Sequence, residues 1–193
     1  MQIIGLSGTF SSGKDTLAKL LSDDYGFVHI STSDIVRELS LARYNSTDRV
    51  YLQKISNEYR EKMGNDYFAA EAYKRYLNLG KQEKGLGLVI SGMRSVGEAK
   101  KVKSLGGILV FVDAPVEIRY QRAKLRARDE EVRTFEDFKV SEAREWEANY
   151  GSNSKQNLRG IKEISDIKLS NNSDLNSFLD QALDKLNLKA VGL

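Results

Sequence analysis

The sequence predicts a three-layer α/β/α fold in which helices cover both faces of a parallel sheet. Short apolar runs alternate along the chain with longer amphipathic stretches, and such runs are typical of strands buried on both faces of a parallel sheet. In the longer stretches the apolar positions recur at helical spacing, as at Leu175, Phe178, Leu179 and Ala182. No internal repeat or Gly/Ser-rich linker interrupts this pattern, so we expect a single domain over residues 1–193.

The individual elements follow from where the apolar pattern changes its period. Five short runs predict strands: Ile3–Ser7, Phe27–Ile30, Leu86–Ser91, Ile108–Val112 and Ile167–Leu169. Eight longer stretches predict helices: Lys14–Leu21, Ser33–Leu41, Val50–Met63, Phe68–Leu77, Gly97–Ser104, Val116–Arg126, Phe135–Asn149 and Leu175–Leu186. Because helices separate successive strands, parallel pairing is expected.

Composition excludes several classes of protein. The chain has no cysteine, which excludes disulfides and thiol catalysis, and its single histidine argues against a His/Cys zinc site. No apolar run reaches the roughly 18 residues of a membrane helix, and the first residues lead directly into a strand-like segment, so we expect a cytoplasmic protein without a signal peptide. A net charge of +3 suits anionic ligands but is too small to indicate nucleic acid by itself.

The segment Gly8–Thr16, which reads GTFSSGKDT, is the strongest motif in the chain. It follows a predicted strand and opens a predicted helix, which is the context of a phosphate-binding loop, or P-loop. Glycines let backbone N–H groups curl around phosphates, the helix N-terminus favours negative charge, and the lysine contacts the β- and γ-phosphates. We therefore predict that ATP is bound by Gly8, Ser11, Ser12, Gly13, Lys14, Asp15 and Thr16.

Asp15 departs from this motif, since the residue after the lysine is ordinarily a Ser or Thr whose hydroxyl binds magnesium. A carboxylate beside phosphates repels them unless a cation lies between, so Asp15 is a candidate ligand for Mg²⁺, directly or through water. A first-turn aspartate favoured by the helix dipole explains the residue equally well. Both interpretations stay open at this point.

The segment His29–Arg37 resembles the part of adenylate kinases that enters the monophosphate-binding helices. In that family a threonine and an arginine hold the acceptor nucleotide, and the resemblance gives those roles to Thr32 and Arg37. The family's glycine between Thr and Asp is replaced by Ser33. Asp34 is then the candidate acid that orients magnesium-bound waters or the clamping arginine.

The segment Leu88–Ala99 looks like the adenylate-kinase strand that ends in Asp-Gly-Phe-Pro-Arg, shortened by one residue. The arginine of that motif clamps the acceptor phosphate, a role that falls to Arg94. The family's aspartate, which assists magnesium, is Ser91 here. This replacement favours Asp15 or Asp34 as the compensating magnesium ligand.

Four residues after the clamping arginine, adenylate kinases carry a glutamine that contacts adenine, and Glu98 stands at that position. An ionised glutamate only accepts hydrogen bonds, which suits the adjacent N1 and N2 donors of guanine. Glu98 is therefore a candidate for reading the acceptor base. A surface glutamate on a solvated helix is the alternative.

Two further segments support a nucleotide-kinase relationship. Leu52–Asp66 resembles phage-type deoxynucleoside monophosphate kinases, which also carry a Gly-Lys-Asp-Thr loop, and it is loosely shared by archaeal relatives of adenylate kinase. Val112–Pro115 resembles the same group and dephospho-CoA kinases. The resemblance implies a P-loop kinase fold with strand order 2-3-1-4-5, an acceptor-binding helical segment over about residues 33–80 and a short lid over about residues 127–160.

Arg119, Arg122 and Arg126 share one face of a predicted helix, and Arg128 and Arg133 follow. A solvated basic face or a nucleic-acid patch would explain such a run. We favour phosphate contact by Arg122 and Arg126, because related kinases take arginines from the start of the lid to stabilise the transferred phosphoryl group. Thr134–Asp137 predicts a capping box that starts the returning helix, on which Arg144 is a weaker lid candidate.

These features together predict a nucleoside monophosphate kinase that uses ATP with Mg²⁺. Lys14, Arg94, Arg122 and Arg126 form the predicted catalytic set, and the acceptor is held by Thr32, Asp34, Arg37, Arg94 and Glu98. Partners are expected to be ATP and a small phosphorylated acceptor, with no membrane and, in the absence of an aromatic-interleaved basic stripe, no nucleic acid. The sequence leaves open whether the protein is a monomer or a homodimer.

Two alternatives remain. Dephospho-CoA kinase shares the fold and donor but differs in acceptor, and Arg60–Gly64 argues mildly against it. An ATP-binding regulatory protein without kinase activity would explain Ser91, whereas acceptor arginines at both Arg37 and Arg94 oppose it.

Overall fold

A computed structural model describes residues 1–126, 134–146, 156–172 and 174–188. Its sheet contains β1 (Gln2–Gly8), β2 (Phe27–Ser31), β3 (Gly87–Ser91), β4 (Ile108–Asp113) and β5 (Ile167–Ser170). The strands pair in parallel in the order β2-β3-β1-β4-β5. The predicted fold class and strand order are therefore confirmed, and every predicted strand lies within one residue of its observed bounds at each end.

The described helices follow the predicted alternation with the strands. They are α1 (Lys14–Asp23), α2 (Thr32–Tyr44), α3 (Arg49–Met63), α4 (Tyr67–Leu77), α5 (Val96–Ser104), α6 (Val116–Arg126), α7 (Phe135–Trp146), α8 (Leu158–Ile164) and α9 (Leu175–Lys185). Across the described part of the chain, none is both long and apolar enough to cross a membrane.

Helix α8 was not predicted from the sequence. It has seven residues, and only Leu158 and Ile161 are buried, which is too short a pattern to establish a helical period. Its start carries a recognisable signal, because the Asn157 side chain accepts a hydrogen bond from the Gly160 N–H at 2.7 Å. The predicted end of α7 at Asn149 lies outside the described residues.

The core has two halves, one on each face of the sheet. Alternate residues of the central strands point to opposite faces, so Ile3, Leu88 and Phe111 pack on the side of α5 and α8. Ile4, Val89 and their neighbours pack against α1 and α9. Because both faces are covered, β1, β3 and β4 are buried at nearly every position, which is why each contains a run of apolar residues in the sequence.

A buried ion pair joins helix α3 to helix α5. Arg60 on α3 donates from Nη2 to Oε1 of Glu98 on α5 at 3.0 Å, and the two residues are 4% and 0% exposed. The other carboxylate oxygen of Glu98 accepts from the N–H groups of Arg94 and Ser95, at 2.7 and 3.0 Å. Ser95 completes a capping box by accepting from the Glu98 N–H. The buried carboxylate is thus compensated on every side.

Removing one partner of this pair should destabilise the fold strongly. Arg60→Ala leaves the Glu98 carboxylate buried without its counter-ion, which should cost about 3–5 kcal/mol in the free energy of unfolding. Urea unfolding followed by circular dichroism measures this loss. Lys62→Ala, which removes an exposed lysine from the same helix, is the control and should leave the urea midpoint nearly unchanged; equal midpoints for both variants would contradict the role of the pair.

Candidate active site

The loop between β1 and α1 has little room for side chains on its outer side. Gly13, at the start of α1, adopts φ +99°, and a Cβ there would lie 2.3 Å from Nδ2 of Asn171. A Cβ on Gly8 would lie 2.1 Å from the carbonyl oxygen of Val112 on β4. Both glycines are therefore needed because the ends of β4 and β5 press against the loop.

The interior of this loop is polar and incompletely satisfied. Ser11 adopts the left-handed conformation with φ +58°. The hydroxyl oxygens of Ser11 and Ser12 are buried, with no hydrogen-bond partner among the described residues. The first N–H groups of α1 also lack partners within the helix, and Lys14 is 6% exposed beside them. Buried donors of this kind are normally paired, so the loop fits a phosphate chain as ligand.

Asp113, at the end of β4, supports the loop from outside. Its Oδ1 accepts from Thr9 Oγ1 at 2.9 Å, and its Oδ2 accepts from Lys162 Nζ at 2.9 Å. Burial alone would raise the pKa of Asp113, but the hydrogen bonds from Lys162 and Thr9 outweigh burial and hold the pKa below its usual value. Asp113 therefore stays ionised and fixes Thr9. Asp113 lies within Val112–Pro115, a segment that was noted only for its resemblance to nucleotide kinases, and no role was predicted for it.

The two motifs that are predicted to bind the acceptor meet where β3 ends and α2 begins. Gly92 has φ +79°, and a Cβ on it would lie 2.7 Å from Ser33 Oγ and 3.1 Å from Thr32 Oγ1. This close packing places Thr32 beside the turn that leads to Arg94. Arg37 lies one turn into α2, where its guanidinium pairs with Asp34 at 2.5 Å on the surface. The structure thus brings the predicted acceptor residues to one edge of the sheet, apart from Glu98.

The prediction that Glu98 reads an acceptor base is wrong, and so is its alternative as a surface residue. The side chain has no exposed area, and its oxygens are occupied by Arg60 and by the backbone of Arg94 and Ser95. Glu98 instead caps α5 and balances Arg60. The spacing Ser95-x-x-Glu98 was an available signal for this capping box.

His29, the only histidine of the chain, lies at the same edge and was missed as a site residue. Its Nε2 and the Ser91 Oγ share a hydrogen bond of 2.7 Å. Burial lowers the pKa of His29, whereas the nearby carboxylates of Asp15 and Asp34 act to raise it. The imidazole therefore lies within electrostatic reach of one carboxylate from α1 and one from α2.

The same two carboxylates fit the expected magnesium ion. Asp15 lies 3.6 Å from Lys14 Nζ, and its side chain is 58% exposed. Mg²⁺ prefers carboxylate, phosphate and water oxygens, which are what Asp15, Asp34 and a bound phosphate chain would offer. In the described ranges no three His, Asp or Glu side chains converge as a metal site of their own.

The three arginines that share a face of α6 do not share a role. Arg119 is buried, donates from Nε to the Ala114 carbonyl at 2.7 Å, and forms a two-pronged ion pair with Glu142 on α7. Its guanidinium also lies over the Phe138 ring, 5.8 Å from the centroid. Arg119 therefore joins α6 to α7 instead of facing a ligand.

Arg122, one turn further along α6, is directed toward the P-loop. Its Nη2 donates to Oδ1 of Asn171 at 3.2 Å, and Nδ2 of Asn171 donates to the Ser12 carbonyl at 2.8 Å. Asn171 carried no signal in the sequence. The Arg126 side chain lies outside the described residues.

Part of the predicted lid is described. Thr134 caps the start of α7, because the Asp137 N–H donates to Thr134 Oγ1 at 3.1 Å; the Asp137 carboxylate accepts at 2.7 Å from the Thr134 hydroxyl. On α7, Phe138 lies against Phe10 at the tip of the P-loop, with ring centroids 5.9 Å apart. Residues 127–133 and 147–155, which include Arg128 and Arg133, lie outside the described residues, as does the side chain of Arg144.

Known proteins resemble the chain over most of its length. The model of a family described as an AAA domain matches residues 4–147. An Archaeoglobus fulgidus protein called a UPF0200/UPF0201 protein is 29% identical, with alignment over 94% of this chain and 54% of the relative; the chain thus spans about half the length of that relative. A UPF0200 protein of Thermococcus gammatolerans is 30% identical over 75% of each chain.

Solved structures of kinases share the fold. Shikimate kinase from Aquifex aeolicus superimposes with a TM-score of 0.55 and 18% identity over 100% of both chains. A gluconokinase from Sinorhizobium meliloti gives a TM-score of 0.57 and 16% identity over 98% of this chain and 93% of its own. At such identities the likeness concerns the fold alone.

The His29 imidazole should titrate below the ordinary histidine pKa, because burial disfavours its charged form. NMR can follow the only imidazole of the protein without assignment. Replacing Asp34 with Asn removes a carboxylate that raises this pKa, so the midpoint should fall further.

Protonation of His29 should therefore destabilise the folded protein. The unfolded chain binds the proton more readily than the folded one, so His29 should lower stability as pH falls below about 6.5. A midpoint at or above that of a histidine peptide would contradict the burial argument.

Proposed function

The chain belongs to the AAA-domain family and to the UPF0200 family, and we propose that it is an ATP-dependent phosphotransferase acting on a small phosphorylated acceptor. A nucleoside monophosphate, converted to the diphosphate, is the first candidate. One observation carries the proposal. The P-loop, whose buried hydroxyls have no partner among the described residues, follows β1, and the residues proposed to hold a second phosphate group lie at the end of the neighbouring strand β3.

The donor side is supported by the interior of the P-loop. Lys14 supplies a nearly buried positive charge, and the hydroxyls of Ser11 and Ser12 supply donors that the described protein groups do not use. The N-terminus of α1 adds its dipole to the same space. A phosphate chain is the ligand class that satisfies all of these groups together.

The acceptor side is supported by the packing of Gly92 against Thr32 and Ser33. This contact places the Thr32 hydroxyl beside the turn that carries Arg94, and Arg37 follows on α2. A regulatory ATP-binding protein has no need of a second phosphate site, so these residues favour transfer over simple binding.

The chemistry requires little covalent participation by the protein. An oxygen of the acceptor phosphate attacks the γ-phosphorus in line; the new O–P bond forms as the bond to the β–γ bridging oxygen breaks and ADP leaves. A phosphate monoester is already largely anionic at neutral pH, so no general base is needed. Lys14 and Arg122 stabilise the charge on the transferred group. Magnesium bound with ATP would screen phosphate charge, and Asp15 and Asp34 are its candidate ligands.

Two other functions remain as alternatives. Dephospho-CoA kinase would use the same donor site with a larger acceptor. A regulatory ATP-binding protein is favoured by one observation: at the end of β3, Ser91 stands hydrogen-bonded to His29 where a magnesium-assisting carboxylate was expected.

Transfer should depend on Lys14. In a coupled assay of ADP release with each ribo- and deoxyribonucleoside monophosphate and dephospho-CoA, at least one acceptor should stimulate turnover. Lys14→Ala should then lower kcat by about a hundredfold or more, because a charge that stabilises the transition state is lost. Circular dichroism controls for folding. Tight ATP binding without any acceptor-dependent release would instead support the regulatory alternative.

Arg37 and Arg94 should act on the acceptor and not on ATP. Replacing either with Ala should weaken acceptor binding about 10- to 100-fold, the usual effect of losing a charged hydrogen bond, while the Kd for ATP stays unchanged. Calorimetry with each ligand separately measures both. Arg43→Ala, an exposed arginine on the same helix as Arg37, is the control. Equal losses for ATP and acceptor would contradict this assignment.

A further inference from the structure

The side chain of Asn171 occupies a buried junction at the end of β5. The residue is 3% exposed, and its backbone N–H donates to the carbonyl of Asp113 at 2.8 Å. Its Nδ2 donates to the Ser12 carbonyl at 2.8 Å, and its Oδ1 accepts from Arg122 Nη2 at 3.2 Å. One amide group therefore links the P-loop to α6.

Asparagine suits this junction because its amide carries a donor and an acceptor on opposite branches. An aspartate would keep the acceptor for Arg122 but would set a carboxylate oxygen against the Ser12 carbonyl. An apolar residue of similar size would leave the Ser12 carbonyl without this donor and would leave the Arg122 guanidinium without this acceptor. Both contacts thus require the specific chemistry of an amide.

The surroundings hold the junction in place. A Cβ on Gly13 would lie 2.3 Å from Asn171 Nδ2, so the loop and the amide are in close contact. In the first turn of α6, the Arg119 side chain donates hydrogen bonds to the Ala114 carbonyl and to the Glu142 carboxylate. These bonds hold in place the part of α6 that carries Arg122. Arg122 is therefore restrained at both its backbone and its guanidinium.

We propose that Asn171 is a positioning residue that holds the guanidinium of Arg122 against the P-loop and ties its orientation to the shape of that loop. This proposal rests on the proposed function, in which Arg122 contacts the phosphates of ATP. A long arginine side chain loses much rotational freedom when it binds a ligand. Asn171 restricts that freedom in advance, so ATP meets a cation that is already placed.

A double-mutant cycle on ATP binding tests the proposal. Asn171→Ala and Arg122→Ala should each weaken ATP binding measured by calorimetry, by about tenfold for the loss of a charged contact. If Asn171 acts through Arg122, the double variant should bind ATP about as well as Arg122→Ala alone. Losses that multiply would overturn the proposal, and so would an Asn171→Ala variant with wild-type affinity.

Asn171→Asp separates the two contacts if Asn171→Ala fails to fold. It keeps an acceptor for Arg122 but loses the donor to Ser12, so ATP affinity should fall while Arg122→Ala still lowers it further. Equal ATP affinity for Asn171→Asp and the wild type would overturn the link to the loop. The control is Asn172→Ala, which removes the exposed neighbouring amide and should bind ATP like the wild type.

Measuring ATP binding tests the role of Asn171 separately from the proposed phosphoryl transfer. ATP binding needs no acceptor, so the cycle remains decisive even if no acceptor supports transfer. Where transfer is found, Asn171→Ala should lower kcat and leave the acceptor KM unchanged, whereas a general loss of packing would lower the urea midpoint without coupling to Arg122.

Discussion

The loop between β1 and α1 keeps its shape because the ends of two neighbouring strands hold it from outside. Asp113 fixes Thr9 at one end of the loop, and Asn171 fixes the Ser12 carbonyl near the other. Between these supports, Ser11 is held in the left-handed conformation, which a serine rarely adopts. Because these outer contacts hold the loop, its shape does not depend on the hydroxyls of Ser11 and Ser12, which have no hydrogen-bond partner among the described residues.

This dependence explains why the site lies where it does. In a parallel sheet the carboxyl ends of all strands meet at one edge, and here β4 and β5 supply the supports while β2 and β3 supply His29, Ser91 and the turn to Arg94. Helix α3 joins the same edge through the ion pair between Arg60 and Glu98. A buried pair adds little net stability over apolar packing, but it is costly to break and so fixes one arrangement of α3 against α5.

Much of the fold could be predicted from the sequence, since strands buried on both faces leave apolar runs and amphipathic helices leave a 3.6-residue period. The strand order came from family resemblance, not from periodicity. Helix α8 escaped because two buried residues do not define a period. At the site, the P-loop could be predicted because all of its residues lie in one continuous segment, Gly8–Thr16.

The residues that hold the P-loop from outside, Asn171 and Asp113, do not belong to any local sequence motif of this kind. Asn171 is separated by 159 positions from Ser12, and Asp113 by 104 from Thr9, so only the folded topology brings them together. The role of Glu98 was predicted wrongly for a related reason. Its place in the motif gives no information about Arg60, which lies on another helix and pairs with it only in the folded chain.

The charges at this edge of the sheet are distributed differently from those of the adenylate-kinase motif that Leu88–Ala99 resembles. In place of a carboxylate at the end of β3, Ser91 and His29 form a neutral pair, since burial keeps the imidazole pKa low. The negative charge lies instead on Asp15 and Asp34, at the starts of α1 and α2, where each helix dipole stabilises an acid. Asp15 is paired with Lys14 and Asp34 with Arg37. Lys14 and Arg37, the two cations next to these acids, are thus already balanced, and a phosphate that bound either of them would have to loosen its ion pair. A divalent cation that takes over the freed carboxylates would offset that cost, so donor binding and cation binding should be coupled at this edge of the sheet.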